Sequence, residues 1–577
     1  MPDFIQPLLD AVAHQEAGRL AAAAAGYATV LEMAPEQPQA LLFAGVLACK
    51  TGQTARAVDL LERAVAVRPT HAEAQFAFGN ALWTAGLKPR ARDAWAGTLR
   101  HDCRHIGALL NLARAQEEAG ETDDAVETCR QAVESRPEHA LPRAALAAAL
   151  RAAGQLDPAL AEADLAVAYD PHLPQAHYQR GTTLKALGRA AEAADALRHA
   201  VRLAPGDAAS QLNLANTLHD LGDSVAAEHH CRAAIAADPA MAEAHSVLGL
   251  LLTQAGHLDA AIAACAEAVR LAPDMAEAHW NMGIALLTDG QLQSGFACYE
   301  WRKRHPKFAH EFRTLKTPEW RGGPIAGKRL LILTEQGLGD AIMLARYAAP
   351  LTAAGAEVTI ACDRKLVPLL RTAAGVSAAV ANAHDLPDHD LWVDQMSLPL
   401  LCGTTLETIP SPGPYLAAEP PIADLWRLRL PDTQNLRVGV AWAGNPLHSN
   451  DANRSCPVAS LMPLATAPGI DLVSLQVGPR AAEASVLGAR DMSPLLTDYA
   501  QTAGLIDRLD VVVTVDTSVA HLAAAMGKPT FIMLPHCPDW RWLAECGDSP
   551  WYASVRLVRQ PSPGDWDSVC REVIDRL

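Results

Sequence analysis

One glycine recurs every 34 residues through the first half of the chain, and this spacing constrains the fold more than any other feature. The positions are Gly18, Gly52, Gly86, Gly120, Gly154, Gly188, Gly222, Gly256 and Gly290. Prolines keep a second register from Pro35 to Pro273, interrupted by Cys103, and small residues keep a third from Ala23 to Gly295. A fixed period of this length indicates a stack of repeated units that has no single core.

Each unit has the pattern of a helical hairpin. A glycine that accepts positive φ makes the turn, a small residue lets the two helices approach closely, and a proline ends the second helix. Because a lone hairpin cannot bury its apolar face, residues 1–309 are predicted to form a solenoid of about nine repeats with a long concave surface. The registers resemble the tetratricopeptide repeat, which implies a protein or peptide partner on the concave face.

Three asparagines, Asn111, Asn213 and Asn281, share one position of the repeat. In the similar superhelix of O-linked N-acetylglucosamine transferases, an asparagine ladder at the like position holds extended peptide backbone. Two interpretations stay open from the sequence. The amides bind a peptide, or they lie on the helix surface and face solvent.

The pattern of the chain changes after residue 309. A linker, residues 310–325, leads into short runs rich in Val and Ile that alternate with helical stretches, which is typical of a parallel α/β fold. Two Rossmann-like lobes are predicted, residues 326–430 and 431–577. Ligands of such sheets bind at the carboxyl ends of the strands, so we expect the site in the cleft between the lobes.

The charge of the chain argues against one class of partner. Asp and Glu number 65 against 48 Lys and Arg, a net charge of −17, and no concentrated basic stripe interrupts it. Such a chain repels a phosphate backbone, so nucleic acid is not an expected partner. No stretch has the length of a membrane span, and the 12 cysteines form no CxxC pair. We therefore expect a cytoplasmic protein with reduced thiols.

Asp340 follows the first strand of the α/β region and the turn Gly337-Leu338-Gly339. An aspartate here stabilises a helix N-terminus and needs no catalytic role, which is the favoured interpretation on position alone. The turn lacks the third glycine of a dinucleotide fingerprint and the lysine of a Walker loop, so phosphate binding at this turn is not predicted.

A second cluster lies in residues 515–529. A strand of valines delivers Asp516, Thr517 and Ser518 to its carboxyl end, and His521 lies in the first turn of the next helix. Hydroxyls and free backbone N–H groups at a helix start bind anions, so the cluster predicts a phosphate or sugar site. The alternative is structural: Thr517 or Ser518 caps the helix, and His521 packs in the interior.

A polar loop, residues 441–455, follows another predicted strand. It contains Asn445, His448 and Arg454, of which Arg454 is a candidate to supply the positive charge that a diphosphate leaving group needs. The backbone around Gln476, at the end of a neighbouring strand, is the candidate for contact with the nucleotide.

No metal or organic cofactor is predicted. Asp388-His389-Asp390 mimics the carboxylate-x-carboxylate metal motif of one class of sugar transferases, but it lies in a proline-flanked loop ahead of a strand. We interpret it as a solvated loop. The chain has neither a nucleophile elbow nor an HExxH zinc helix.

Four segments resemble bacterial tetratricopeptide proteins that carry a heptosyltransferase-like glycosyltransferase domain of the GT-B fold. They are EQGLGDAIMLARY, GVAWAGNPLHSNDANRS, VDTSVAHLAAAMGKP and PDWRWLAECGDSPWY. The resemblance implies that Asp340 is the general base. It also implies that Asp516, Thr517 and His521 line the donor site, with Ser518 in place of a frequent glycine. Heptosyltransferases commonly carry a lysine after the RVGVAW strand; this loop has none, and Arg454 is the candidate replacement.

The resemblance predicts a glycosyltransferase that moves a sugar from a nucleoside-diphosphate sugar to an acceptor hydroxyl. Transferases of this fold generally need no metal, because helix dipoles and basic side chains replace it. The architecture is similar to O-GlcNAc transferases, so we expect a protein or peptide acceptor presented by the solenoid. Two alternatives stay open: a saccharide or lipid-linked acceptor, and a catalytically degenerate module that serves as a scaffold.

Overall fold

The computed structural model describes residues 3–308, 310, 312, 315–383, 386–410, 413–430, 432–447, 450–544 and 546–577. The chain divides into two compact units, Met1–Pro239 and Ala240–Leu577. The described secondary-structure elements of the first unit are all helices, and the second unit combines four further helices of the repeat with two parallel sheets. None of the described helices is long and apolar enough to cross a membrane.

The repeat region consists of consecutive antiparallel helical hairpins. The helices of the first unit are α1 Ile5–Glu16, α2 Leu20–Met33, α3 Pro38–Lys50, α4 Thr54–Val67, α5 Ala72–Thr84, α6 Lys88–His101, α7 Ile106–Glu118, α8 Thr122–Ser135, α9 Ala140–Ala152, α10 Leu156–Tyr169, α11 Pro174–Ala186, α12 Ala190–Leu203, α13 Ala208–Asp220 and α14 Ser224–Ala237. Those of the second unit are α15 Ala242–Gln254, α16 Leu258–Leu271, α17 Ala276–Thr288 and α18 Leu292–Tyr299.

The periodic glycines and the periodic small residues have the structural roles expected of them. Every periodic glycine, from Gly18 to Gly290, lies in the turn inside a hairpin with φ between 72° and 86°, where a side chain would be strained. The small residues from Ala23 to Ala261 are fully buried, so the paired helices approach closely. The predicted helical solenoid is confirmed.

After the last hairpin the second unit forms two parallel sheets. The strands of the first are β1 Arg329–Leu333, β2 Glu357–Cys362, β3 Val376–Ala381 and β4 Leu391–Asp394, in the order β3-β2-β1-β4. Those of the second are β5 Leu436–Ala441, β6 Ile470–Ser474, β7 Arg490–Asp491, β8 Val511–Val515, β9 Thr530–Leu534 and β10 Val555–Arg559, in the order β10-β9-β8-β5-β6-β7. The helices that accompany them are α19 Leu338–Leu344, α20 Ala348–Ala353, α21 Val367–Leu370, α22 Leu398–Leu401, α23 Pro420–Arg429, α24 Asp451–Arg454, α25 Met462–Ala465, α26 Tyr499–Asp507, α27 Ser518–Ala525 and α28 Trp566–Arg576.

The central strand of the second sheet, β8, explains where the site lies. All five of its residues are buried, as expected for a parallel strand covered on both faces. It pairs with β5 on one side and β9 on the other, with Val512 opposite Gly439 and Thr530. The carboxyl ends of these strands therefore meet at one edge, and the predicted α/β fold is confirmed.

The last repeat hairpin shares its core with the α/β lobes. Leu287 and Phe296 belong to the same buried cluster as Ile342 and Trp540. Just after α18, the fully buried Arg302 donates two hydrogen bonds to the carboxylate of Glu335, at 3.0 and 2.7 Å. In the second unit, therefore, the repeat and the lobes form one packed body.

Candidate functional site

A cavity of about 1080 Å³ opens in the second unit, at the carboxyl ends of β1, β5, β6 and β8. This volume is slightly above the ~300–1,000 Å³ typical of small-molecule sites. Its lining includes the last repeat hairpin with the residues after it, the turn Gln336–Asp340 and Lys365 of the first lobe, and the strand ends and α26 of the second lobe. Each site residue predicted from the sequence lines this cavity: Asp340, Asn445, Arg454, Gln476, Asp516, Thr517, Ser518 and His521.

Asp340 lies in the first turn of α19 and is buried. Its Oδ2 accepts a hydrogen bond from the backbone N–H of Gly337 at 3.1 Å, so it does stabilise the helix start. Its Oδ1 accepts hydrogen bonds from Nε of Arg541, at 2.9 Å, and from Nη2 of the same side chain. Both carboxylate oxygens are thus engaged, and the aspartate faces the cavity as half of an ion pair.

Arg541 is the residue that the sequence analysis missed. It lies in the short 3-10 helix Trp540–Trp542 of the second lobe, and its Nη1 contacts Oδ1 of Asp539 at 2.5 Å. Its guanidinium lies 4.3 Å from the ring centre of Trp540. The PDWRW segment was quoted for the resemblance, but 201 residues separate Arg541 from Asp340, so no local pattern pairs them.

The turn before Asp340 has a strained backbone. Gln336 has φ of 63°, a left-handed value that a residue with a side chain adopts only at a cost. Its side-chain oxygen accepts a hydrogen bond from the hydroxyl of Tyr299 at 2.8 Å, and the preceding Glu335 is held by Arg302. The last repeat hairpin and the residues after it therefore hold the turn that presents Asp340.

The end of β8 carries the cluster expected for an anionic ligand. The pKa of Asp516 is raised to about 6, mainly by burial and also by the neighbouring carboxylate of Asp539, while the guanidinium groups of Arg541 and Arg454 oppose the shift. Thr517 is the residue before α27, but its side chain does not cap the helix. The first backbone N–H groups of α27 therefore do not donate to the Thr517 side chain.

The hydroxyl groups of this cluster already have partners. Thr517 Oγ1 lies 3.3 Å from Oγ1 of Thr514, and Ser518 Oγ hydrogen-bonds with the hydroxyl of Tyr499. Tyr499 belongs to α26, so the side chain of Ser518 is oriented by a neighbouring helix. The structural alternative holds only in part: Thr517 makes no side-chain cap and Ser518 is already the first residue of α27, whereas His521 is buried.

His521 is buried, and its Nδ1 lies 3.0 Å from the hydroxyl of Tyr552. Its ring stacks on Trp542 with the centres 5.1 Å apart. Burial lowers the pKa of His521 well below its usual value, and the positive charges of Arg541 and Arg346 lower it further. The imidazole is therefore neutral, a packed group at the cavity wall rather than a cation for phosphate.

The loop after β5 places Arg454 at the cavity. Its Nε contacts Oδ1 of Asp451 at 3.4 Å, and a Cβ built on Gly444 would lie only 2.5 Å from its Nη2, so the guanidinium rests on the backbone of this loop. Asn445 is exposed, and its side-chain oxygen accepts a hydrogen bond from the N–H of Leu447 at 3.1 Å. His448 lies outside the described residues.

Gln476 holds the same loop from the end of β6. Its Oε1 accepts hydrogen bonds from the N–H groups of Trp442 and Ala443, at 3.0 and 2.9 Å, and its Nε2 donates to the carbonyls of Ala443 and Val477. The amide is buried and its hydrogen bonds go to the protein backbone. Its side chain thus positions the wall of the cavity, and the adjoining backbone at residues 477–479 lines it.

The cavity has further features that the sequence analysis did not single out. Lys307 and Lys365 are exposed side chains on its lining. Trp280 and Ile284, four residues apart on α17, form an apolar wall with Phe308, whose ring centre lies 4.7 Å from that of Trp280. Basic groups and an aromatic wall therefore enter the same cavity.

The sequence Asp388-His389-Asp390 lies directly before β4, beside β1, and does not line the cavity. Asp390 accepts a hydrogen bond from the backbone N–H of Arg329 at 2.9 Å and pairs with its guanidinium at 3.0 Å. This ion pair holds the pKa of Asp390 low, at about 2. In the described part of the chain, no group of three or more His, Cys, Asp or Glu side chains is arranged to hold a metal.

The three periodic asparagines donate hydrogen bonds to the helix of the preceding hairpin. The pairs are Asn111 with Asn80 Oδ1 at 2.8 Å, Asn213 with the hydroxyl of Tyr178 at 3.2 Å, and Asn281 with Ser246 Oγ at 3.0 Å. Asn281 is buried, so the interpretation of a solvent-facing amide is wrong at that position. These amides connect neighbouring repeats.

Protein-family models match parts of both halves of the chain. Residues 8–72, 47–100, 76–140, 178–242, 212–276 and 246–300 match the tetratricopeptide repeat. Residues 496–533 match glycosyltransferase family 9 (heptosyltransferase). This short match contains Asp516, Thr517, Ser518 and His521 and ends within β9.

Known proteins resemble the chain over part of its length. Protein FlbA of Caulobacter vibrioides (strain ATCC 19089 / CIP 103742 / CB 15) is 28% identical over 285 residues, which cover 45% of this chain and 48% of that protein. The chain thus spans about half the length of this curated relative. The Cut9-Hcn1 structure of the APC/C hetero-tetramer is 18% identical over 48% of this chain and 55% of its own, with a TM-score of 0.39. The tetratricopeptide protein YrrB is 23% identical over 32% of this chain and 97% of its own, with a TM-score of 0.28.

Proposed function

We propose that the protein is a glycosyltransferase that uses a nucleoside-diphosphate sugar. The observation that carries the proposal is a single cavity that is lined by both Asp340 of the first lobe and the start of α27 in the second. The match of residues 496–533 to glycosyltransferase family 9 supports it, because residues of that segment, among them Asp516, Thr517 and Ser518, line the cavity.

The donor diphosphate would bind at the start of α27. Backbone N–H groups at a helix start attract phosphate, and the α27 dipole adds to that attraction. Arg454 supplies a positive charge from the loop after β5, in the role that a lysine commonly has in heptosyltransferases. Asn445 on the same loop offers an amide to a phosphate oxygen, and Gln476 holds the loop in place.

The transfer step needs a base and a stabilised leaving group. Asp340 would accept the proton of the acceptor hydroxyl as that oxygen forms its bond to the anomeric carbon. The bond from the anomeric carbon to the phosphate oxygen breaks, and its electron pair leaves on the nucleoside diphosphate. The helix start and Arg454 stabilise this growing negative charge, so these residues need no metal for the step.

The acceptor would enter beside the last repeat hairpin. Trp280, Ile284 and Phe308 form an apolar wall on that side of the cavity, and Lys307 lies next to it. Such a wall fits the apolar side chains that flank an acceptor hydroxyl in a polypeptide. The six matches to the tetratricopeptide repeat support a protein partner as well, so we propose a protein or peptide acceptor. We also propose a cytoplasmic location, which fits a sequence whose 12 cysteines form no CxxC pair.

Donor turnover tests the proposal. Full-length protein is incubated with a panel of nucleoside-diphosphate sugars, and release of the nucleoside diphosphate is measured for the wild type, Asp340→Ala and the matched control Asp390→Ala, which loses a carboxylate outside the cavity. We expect turnover with one donor class, at least a hundredfold loss in Asp340→Ala, and little change in the control. No turnover with any donor would instead support the scaffold alternative.

The acceptor class needs a second measurement. With the active donor carrying a label, proteins, oligosaccharides and lipid-linked saccharides are compared as acceptors. If the acceptor is a protein, Trp280→Ala should raise the KM for that protein. Donor hydrolysis without acceptor should stay near the wild-type rate. Label that enters only saccharide would contradict the protein acceptor and leave the transferase activity standing.

A further inference from the structure

The ion pair between Asp340 and Arg541 joins the two lobes inside the cavity. Arg541 donates from Nε and Nη2 to a single oxygen of Asp340, while Gly337 donates to the other oxygen. The third nitrogen of the guanidinium, Nη1, contacts Asp539 at 2.5 Å. All of Asp340, Asp539 and Arg541 line the cavity.

This arrangement conflicts with the work of a general base. A base must direct a free lone pair at the proton of the acceptor hydroxyl, within ~2.6–3.2 Å of its oxygen. Here two N–H groups of Arg541 cover Oδ1, and Oδ2 is turned toward the helix start by the N–H of Gly337. Three N–H donors thus occupy three of the about four lone-pair sites of the carboxylate, and only the release of Arg541 frees Oδ1 for the acceptor hydroxyl.

Arg541 is the partner that a donor can remove. A guanidinium binds a phosphate group with two parallel hydrogen bonds, and the donor diphosphate carries two negative charges against one on a carboxylate. The start of α27, where we propose the diphosphate, is close by: a Cβ built on Gly339, the residue before Asp340, would lie 3.5 Å from Cα of Ser518. The Gly337 bond, in contrast, is internal to α19 and has no reason to change with the ligand.

We propose that Arg541 binds the diphosphate of the donor and, by moving to it, frees Asp340 to act as the base. This inference rests on the proposed function. Before the donor binds, Arg541 is the cation partner of the Asp340 carboxylate. When the donor binds, Arg541 leaves the carboxylate for the diphosphate. It also predicts that the donor binds before proton transfer to Asp340 can occur.

Binding of nucleoside diphosphates separates this role from a structural ion pair. Asp340 and the diphosphate compete for Arg541, so removal of the carboxylate should tighten binding. UDP, GDP, ADP and CDP are titrated by calorimetry into full-length wild type, Asp340→Asn, Arg541→Gln and the double variant. Asp390→Asn is the control, since it removes one negative charge outside the cavity.

We expect Asp340→Asn to bind the preferred nucleotide roughly fivefold or more tightly than the wild type, and Arg541→Gln to bind it roughly tenfold or more weakly. The decisive comparison is the double variant. If Arg541 mediates the effect, Asp340→Asn changes affinity less than about twofold once Arg541 is absent. An effect of the same size in both backgrounds would indicate ordinary charge repulsion and overturn the release of Asp340.

The outcomes distinguish this inference from the proposed function. Wild type that binds none of the four nucleotides would overturn both. Wild type that binds one of them, with Asp340→Asn unchanged or weaker, would overturn only the role of Arg541. A crystal structure of the full chain with that nucleotide gives an independent measurement if a variant does not fold. We expect the Arg541 guanidinium within hydrogen-bond distance of a phosphate oxygen, and a guanidinium still on Asp340 would overturn the proposal.

Discussion

Gly339 of the first lobe packs directly against His521 of the second. A Cβ built on Gly339 would lie 2.8 Å from Cδ2 of the imidazole, closer than atoms in contact allow. The helices that carry the two residues, α19 and α27, are packed together at this point. The glycine in the turn before Asp340 is therefore required by the contact between the lobes, and not by its own backbone conformation, because its φ is not positive.

Gly339→Ala should separate the lobes at the cavity. We expect a loss of about 1–3 kcal/mol in the free energy of unfolding, typical of an overpacked interior, together with weaker nucleotide binding. Gly547→Ala is the matched control, since nothing lies within 4 Å of a Cβ at that position. Urea unfolding and calorimetry measure the two effects. Equal stability of Gly339→Ala and Gly547→Ala would contradict the contact.

Arg302→Met should destabilise the second unit strongly. The substitution leaves the buried carboxylate of Glu335 without its cation, and such a loss costs about 3–5 kcal/mol. Arg427 pairs with Asp424 on the surface, so Arg427→Met should cost less than about 1 kcal/mol. Denaturant unfolding of both variants makes the comparison. Because Glu335 precedes the Asp340 turn, we also expect Arg302→Met to weaken nucleotide binding.

The free energy of unfolding should carry a pH dependence from Asp516. The pKa of this carboxyl is raised from 3.8 to about 6 by burial, with Asp539 adding to the shift. Between about pH 4 and pH 6 the folded protein therefore holds a proton that the unfolded chain has released, so the Asp516 contribution to stability falls as the pH rises. At about 1.4 kcal/mol per pKa unit, the loss by pH 7 is roughly 3 kcal/mol.

A comparison with Asp516→Asn isolates this contribution. The neutral, buried His521 acts with the opposite sign, because its lowered pKa removes stability as the pH falls below its usual value. That effect is present in both proteins and cancels in the difference. Unfolding free energies are measured from pH 4 to 7. We expect the free energy of unfolding of Asp516→Asn to increase relative to that of the wild type as the pH rises. A constant difference between the two would show that Asp516 keeps its ordinary pKa.

Two deletions should behave differently. Removal of residues 1–239 takes away the first compact unit, so we expect residues 240–577 to stay folded and to retain nucleotide binding. Removal of residues 1–309 also takes away Leu287, Phe296 and Tyr299, which belong to the core cluster of the lobes. We expect that product to aggregate. Solubility, circular dichroism and calorimetry of the two proteins test the difference, and a soluble, binding-competent 310–577 would contradict the shared core.

Much of the fold follows from local pattern. The 34-residue glycine register predicts the hairpin turns because each turn needs a left-handed backbone that glycine adopts most easily. The valine run at β8 predicts a buried parallel strand for a similar reason, since both faces of such a strand are covered. Strands with weaker sequence patterns are not predicted. β3 contains three alanines and β7 is two residues long, so neither has a run of β-branched residues that indicates a strand.

The candidate site divides in the same way. The residues predicted at the ends of β1, β5, β6 and β8 all line one cavity, because parallel strands bring their carboxyl ends to a common edge. The contacts of the individual side chains could not be predicted from the sequence. The Gln476 side chain hydrogen-bonds with the backbone of the loop after β5, His521 is packed and neutral, and the periodic asparagines connect neighbouring repeats. In each case the contacting group comes from another element of the fold.

By itself, therefore, the amino-acid sequence determined the repeat, the α/β class and the positions of the polar strand ends, because period and backbone requirements act over a few residues. Only the tertiary structure decided which charges meet. Arg541 reaches Asp340 across 201 residues of chain, and Arg302 reaches Glu335 across 33. Such pairs depend on how the lobes and the last hairpin pack in three dimensions, and packing brings together residues whose spacing along the chain carries no periodic signal.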